Sequence, residues 1–162
     1  SSWGMAITMP VGDSLDVGVG YGKIGNASTV VTTDDDEHRT IFANYTMGSA
    51  TFGYQISRIE EGTVSGTDEN TDAWGLAWNV NDNLSISYAK ADDEYDARAG
   101  RTAGTVTGDS VADVTMSMKS IQAAYSMGSM SIKAYRTKTD NGAYNSGGTS
   151  TQVSEIALGL SF

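Results

Sequence analysis

The sequence predicts an all-β fold, an antiparallel transmembrane β-barrel in meander order, on three grounds. Apolar residues recur at every second position in nine separate runs, the spacing of a strand with two unlike faces. The second face of those runs carries mostly Gly, Ala, Ser, Thr, Asn and Gln, where the solvent side of a soluble sandwich would carry charge. Short and long connections alternate along the chain. Together these describe a sheet whose apolar face meets lipid and whose small polar face meets water.

The first run, residues 3–11, sets Trp3, Met5, Ile7, Met9 and Val11 against Gly4, Ala6 and Thr8. In the second, Leu15, Val17, Val19 and Tyr21 oppose Asp16, Gly18, Gly20 and Gly22. The third opposes Ile41, Ala43, Tyr45 and Met47 to Thr40, Phe42, Asn44 and Thr46, with Phe42 a large apolar residue on the polar side. Ala50, Phe52, Tyr54 and Ile56 face away from Thr51, Gly53, Gln55 and Ser57 in the fourth. The fifth pairs Trp74, Leu76, Trp78 and Val80 with Ala73, Gly75, Ala77 and Asn79; the sixth pairs Leu84, Ile86 and Tyr88 with Ser85, Ser87 and Ala89. Ile121, Ala123, Tyr125 and Met127 against Ser120, Gln122, Ala124 and Ser126 form the seventh, and Met130, Ile132 and Ala134 against Ser131, Lys133 and Tyr135 the eighth. The ninth ends the chain, with Ile156, Leu158, Leu160 and Phe162 opposing Glu155, Ala157, Gly159 and Ser161.

Tight-turn chemistry joins the runs at Pro10–Ser14, Gly48-Ser49, Asn81–Asn83 and Gly128-Ser129. Between these hairpins lie four polar segments, 24–39, 58–72, 90–117 and 137–151, expected as long loops and holding 16 of the 20 acidic residues. Brief turns at one rim and extended loops at the other are the signature of outer-membrane barrels. Tyr45, Trp78 and Tyr125 precede short turns, and with Phe162 they are expected to form an interfacial girdle, where amphipathic rings prefer the headgroup level.

Composition narrows the function. The chain has 162 residues, enough for one domain over 1–162, and carries 20 acidic against 10 basic residues, a net charge of -10. Nucleic acid is therefore not an expected partner, since phosphate neutralisation needs clustered Lys and Arg. Zero cysteines remove thiolate catalysis and Cys-ligated zinc, and a single histidine removes any multi-His metal site. No stretch approaches the roughly 20 apolar residues of a membrane-spanning helix. With 19 glycines and one proline, the chain favours long uninterrupted strands. It opens at Ser1-Ser2-Trp3-Gly4, without an initiator Met or a charged-then-apolar leader, a start that is compatible with a signal peptide removed without trace.

The tail Ile156-Ala157-Leu158-Gly159-Leu160-Ser161-Phe162 and the hairpin from Trp74 to Lys90 resemble the C-terminal half of a Gram-negative general diffusion porin. That resemblance implies an outer-membrane channel for passive diffusion of ions and small hydrophilic solutes, without enzymatic chemistry or a cofactor. It also implies a homotrimer set in lipid and lipopolysaccharide, with Ile156, Leu158, Leu160 and Phe162 as the signal read by the barrel-assembly machinery. The family's constriction loop lies in its N-terminal half, so none of its residues transfers here. Strand parity adds a constraint. The ninth strand ends at the periplasmic side in the family, so the first also runs inward, and nine strands cannot close antiparallel. The reading that follows is a nine-strand C-terminal portion of a larger, 16-stranded barrel. The alternative is a complete eight-stranded barrel that does not conduct and acts as an anchor or a loop-mediated binding protein.

The polar parity nominates Asp16, Asn44, Gln55, Asn79, Gln122, Lys133, Tyr135 and Glu155 as pore-lining. Lys133, in mid-strand, must face water or a carboxylate, with Glu155 or Asp16 as candidate partners for a wall salt bridge. Asp34, Asp35 and Asp36 before Glu37 form a weak candidate for a hard divalent cation, without the Gly and ligand spacing of an EF-hand, so no metal site is expected. A hydrolase would require His38 to meet a Ser and an acid at one rim. The 16 loop acids against eight basic residues in and beside those segments predict an electronegative mouth and a cation preference.

Overall fold

The computed structural model describes residues 1–25, 34–62, 67–97 and 113–161. Their backbone forms β1 (Ser2–Val11), β2 (Leu15–Ile24), β3 (Asp36–Met47), β4 (Ala50–Glu60), β5 (Thr67–Asn79), β6 (Leu84–Ala97), β7 (Val114–Met127), β8 (Met130–Asp140) and β9 (Thr151–Leu160). Each strand pairs antiparallel with its neighbours in chain order, giving one nine-stranded meander and setting aside the eight-strand count. The helical content among the described residues is a single 3-10 turn, Gly142–Tyr144. Among those residues β1 and β9 pair with no further strand, and being the odd-numbered ends of a meander they run in the same direction. The lone proline, Pro10, sits on the edge strand β1, the place where a missing N–H is tolerated.

Period-two alternation holds without interruption along each strand pair, so the register carries one face through the whole sheet. No hydrophobic side chain is buried among the described residues. Of 26 large apolar side chains left exposed, 22 share one face; the exceptions are Ile24, Tyr135 and Val153 on the other face and Val80 beyond β5. A soluble domain would have to bury such a face, so a surrounding apolar medium is the partner this sheet requires. On the polar face, Phe42 stands opposite Gly18, and its ring occupies the space a side chain there would need. That accounts for the misplaced aromatic in the alternation.

The strands are longer than the apolar alternation predicts. β3 begins at Asp36, β5 at Thr67 and β7 at Val114, while β4 runs to Glu60, β6 to Ala97 and β8 to Asp140. Much of the four polar segments is therefore strand and not loop. Beyond the apolar band both faces are polar, and the backbone ladder continues without any hydrophobic period to announce it. At the other end the links are tight. Gly48 and Gly128 take φ of +59° and +58° as first residues of two-residue turns, the position where a type II′ turn demands glycine.

Candidate functional site

The eight sequence-nominated polar residues all fall on the face opposite the apolar side chains. Asp16 and Asn44 are register partners across β2 and β3. Gln122, Tyr135 and Glu155 form one row across β7, β8 and β9, where the Tyr135 hydroxyl donates to Glu155 at 2.8 Å. Asn79, Gln122, Lys133 and Tyr135 line one depression with Ser85 and Ser87. Asn44 and Gln55 line a second, with Phe42, Ala73, Ala91 and Met118. Lys133 makes no ion pair with Glu155 or Asp16. Its register partners are Ala124 and Ala157, and Glu155 is engaged by Tyr135 instead.

A feature that sequence reasoning missed lies at the loop end of this face. Asp93 and Tyr95 on β6 and Glu69 and Thr71 on β5 share the polar parity with Gly18 and Asn44. The connection from β8 to β9 crosses β7 to reach them. Tyr144 stacks on Tyr95 with ring centroids 4.8 Å apart, and its hydroxyl donates to Asp93 at 2.6 Å. Thr71 donates to the other Asp93 oxygen at 2.8 Å, and the Asn141 amide donates to the Thr115 carbonyl at 2.9 Å. Asn141, Ala143 and Tyr144 adopt φ near +54°, an uncommon left-handed run for non-glycine residues that turns the loop inward over the sheet. Burial, reinforced by Asp93, pushes the Tyr144 phenol well above its ordinary value.

On the apolar-parity side, the loop ends of the strands carry a charged belt. Lys23, Arg39, Arg58, Lys90, Lys119, Arg136 and Lys138 lie there, with Glu37, Glu60, Asp68, Asp72, Asp92, Glu94, Asp96 and Asp140. Thus eight of the 16 acids expected in loops stand on this outer wall, and among the described strand positions three of them, Asp36, Glu69 and Asp93, share the polar face. Counting strand positions, the polar face holds five acids, those three with Asp16 and Glu155, against one lysine, Lys133. The charge of this face is thus set by strand residues, not by the loop total.

Aromatic residues bracket the apolar band at two levels. Tyr45, Trp78 and Tyr125 stand near the short turns, with the Trp78 indole donating to Ser49 Oγ at 3.1 Å. Nearer the loops are Trp3 beside Tyr21 at 5.5 Å, and Trp74 beside Tyr88 at 5.3 Å, a second level that the sequence reading did not separate out. Ile156, Leu158 and Leu160 are exposed on the apolar face of β9; Phe162 lies outside the described residues. Asp36 accepts a hydrogen bond from the Gly62 amide at 2.9 Å, and no group of three His, Asp or Glu converges at metal-holding spacing among the described residues.

No protein-family profile matches the chain, and no curated protein sequence matches it. Solved structures do. A porin structure superposes with a TM-score of 0.61 at 17% identity, over 96% of this chain and 56% of its own. OmpT, an outer membrane protein of Vibrio cholerae, gives 0.60 at 18% identity over 94% and 51%, and a loop L8 deletion mutant of OmpT gives 0.59 at 17% over 96% and 51%. The chain therefore spans about half the length of the structures it matches. With 22 large apolar side chains exposed on one face and no hydrophobic side chain buried among the described residues, the sheet has the two unlike faces that such a barrel needs. The fold of this chain is that of an outer-membrane, porin-type β-barrel, over nine of its antiparallel strands.

Proposed function

We propose that the protein lies in the outer membrane of a Gram-negative bacterium and forms part of the wall of a water-filled channel that passes ions and small hydrophilic solutes, with a preference for cations. The observation that carries this reading is the two-faced sheet without a core: among the described residues none of the apolar strand positions that a soluble fold would bury is buried, and the opposite face is mostly small and polar. β1 has 10 residues, about 33 Å at roughly 3.3 Å per residue. Tilted by about 40°, such a strand covers the ~25 Å apolar band of an outer-membrane barrel. Selectivity follows from the wall charges, Asp16, Asp36, Glu69, Asp93 and Glu155 against Lys133. The channel performs no chemistry on its solute, and its polar face sorts by width and potential.

Reversal potentials across a planar bilayer under a KCl gradient test the proposal. The expected result is a permeability ratio favouring potassium that relaxes toward unity as salt rises, because the Debye length falls from about 30 Å at 0.01 M to about 8 Å at 0.15 M. Absence of conductance, or a preference for chloride, would overturn it.

A further inference from the structure

Lys133 is the one cation among the described strand positions of the polar face, and it makes no ion pair with that face's acids. Two adjacent rows of the face run past it near the short turns. One is Asn79, Ser85, Ala124, Lys133 and Ala157; the other is Ala77, Ser87, Gln122, Tyr135 and Glu155. The alanines leave room, and a depression of about 310 Å³ opens across β5 to β8, lined by Asn79, Ser85, Ser87, Gln122 and Lys133. Its volume falls at the lower end of the range for small-molecule sites, about 300–1,000 Å³. Among the described residues no side-chain hydrogen bond or ion pair engages any of these five. The carboxylate on the neighbouring strand, Glu155, accepts from Tyr135 instead.

We propose that this depression is a binding subsite for the carboxylate of a small monoanionic solute in transit. The site deepens the channel reading and rests on it, because it needs the polar face to meet water. Its ligand class follows from the donor set. An ammonium can only donate, hydroxyls and amides can turn their donors toward an anion, and a carboxylate accepts on both oxygens. Lys133 supplies the charge, Gln122 stands one row away on the next strand, and Ser85 and Ser87 stand on the strand beyond it. One ammonium balances one negative charge, and Glu155 at the border repels a second, so a carboxylate fits where a phosphate dianion does not. Asp36, Glu69 and Asp93 lie at the loop end of the face and Lys133 at the turn end, so attraction of cations and capture of a carboxylate occupy different levels of the wall.

The test titrates the folded protein, in micelles of a neutral detergent at about pH 7, against fluoroacetate, fluoroacetamide and monofluorophosphate, and follows each probe's fluorine NMR line width. Wild type should broaden the fluoroacetate line with half-saturation on the order of 1–10 mM, weak enough for a solute to leave, and should leave the other two lines sharp. Lys133→Gln should weaken fluoroacetate binding by about tenfold, the loss of one charge-assisted hydrogen bond. Lys133→Arg should keep most of it and Gln122→Ala lose part, so that misfolding of one variant would not shelter the site. The outer-wall control Lys119→Gln should bind as wild type does. Equal binding by wild type and Lys133→Gln, equal loss in Lys119→Gln, or equal binding of fluoroacetamide or monofluorophosphate would overturn the site. The readout needs no current. Lysine-dependent binding in a protein that does not conduct would leave the site standing and sink the channel reading, while cation-preferring conductance without fluoroacetate binding would do the reverse.

Discussion

A Cβ built on Gly18 would stand 2.2 Å from Cε1 of Phe42, a contact no real side chain tolerates. Gly18→Ala should therefore destabilise the fold by about 1–3 kcal/mol, the range for overpacking a well-filled site. Combined with Phe42→Ala it should cost less than the sum of the two single changes, and urea unfolding in micelles measures both. Strict additivity would show that the ring does not depend on the glycine. Alternation alone could flag Phe42 as out of place, but its partner became visible only with the register between β2 and β3. Tyr144 was less legible still, because a loop tyrosine carries no period. Its phenol is raised by burial and by Asp93, so the hydrogen bond contributes in full below about pH 10, the ordinary tyrosine value, and is lost as pH rises through the raised one. In an ultraviolet titration, Tyr144→Phe should remove the last phenol to ionise. Loss of an early-titrating phenol instead would show that Asp93 does not hold it.

Elements were read well where lipid imposes a pattern and poorly where water lies on both sides. All nine strands follow from residues such as Met5, Val19, Ile41 and Leu158, yet the ends at Asp36, Glu60, Thr67, Ala97 and Asp140 were assigned to loops. Charged residues on both faces give no alternation, and only the ladder of backbone hydrogen bonds defines those turns of strand. The short links were legible because glycine is demanded there by backbone geometry. Gly48→Ala should cost about 1–2 kcal/mol through its positive φ, with the hairpin of β3 and β4 opening first in hydrogen exchange. Equal exchange in both proteins would show that the turn accommodates a side chain. The β8–β9 loop makes an element-scale prediction for transport. If the stack of Tyr144 on Tyr95 narrows the loop end of the wall, Tyr144→Ala should raise single-channel conductance, and an unchanged conductance would place the narrowest point elsewhere.

For the molecule as a whole, the division into two faces governs every other property. The three tryptophans, Trp3, Trp74 and Trp78, all lie on the apolar face, so brominated lipid should quench their fluorescence while aqueous iodide leaves it largely intact. Strong quenching by iodide would reverse the assignment of the faces. Charge shows why whole-molecule function was only partly readable: the acid-rich segments pointed to an electronegative mouth, but eight of those acids are on the outer wall, and a linear sequence does not say which side of a strand extension faces lipid. Among the described residues β1 and β9 are the unpaired edges of the sheet. Exposed strand edges ordinarily invite identical chains to zip together. Two copies inserted in one orientation would bring β9 of the first beside β1 of the second running the same way, a parallel pairing this meander nowhere uses. An antiparallel match between copies, β9 on β9 or β1 on β1, would require one of them to sit upside down. On the outer-membrane reading proposed above, one-way insertion withholds the edges from copies of the same sheet and leaves them complementary to an odd number of antiparallel strands.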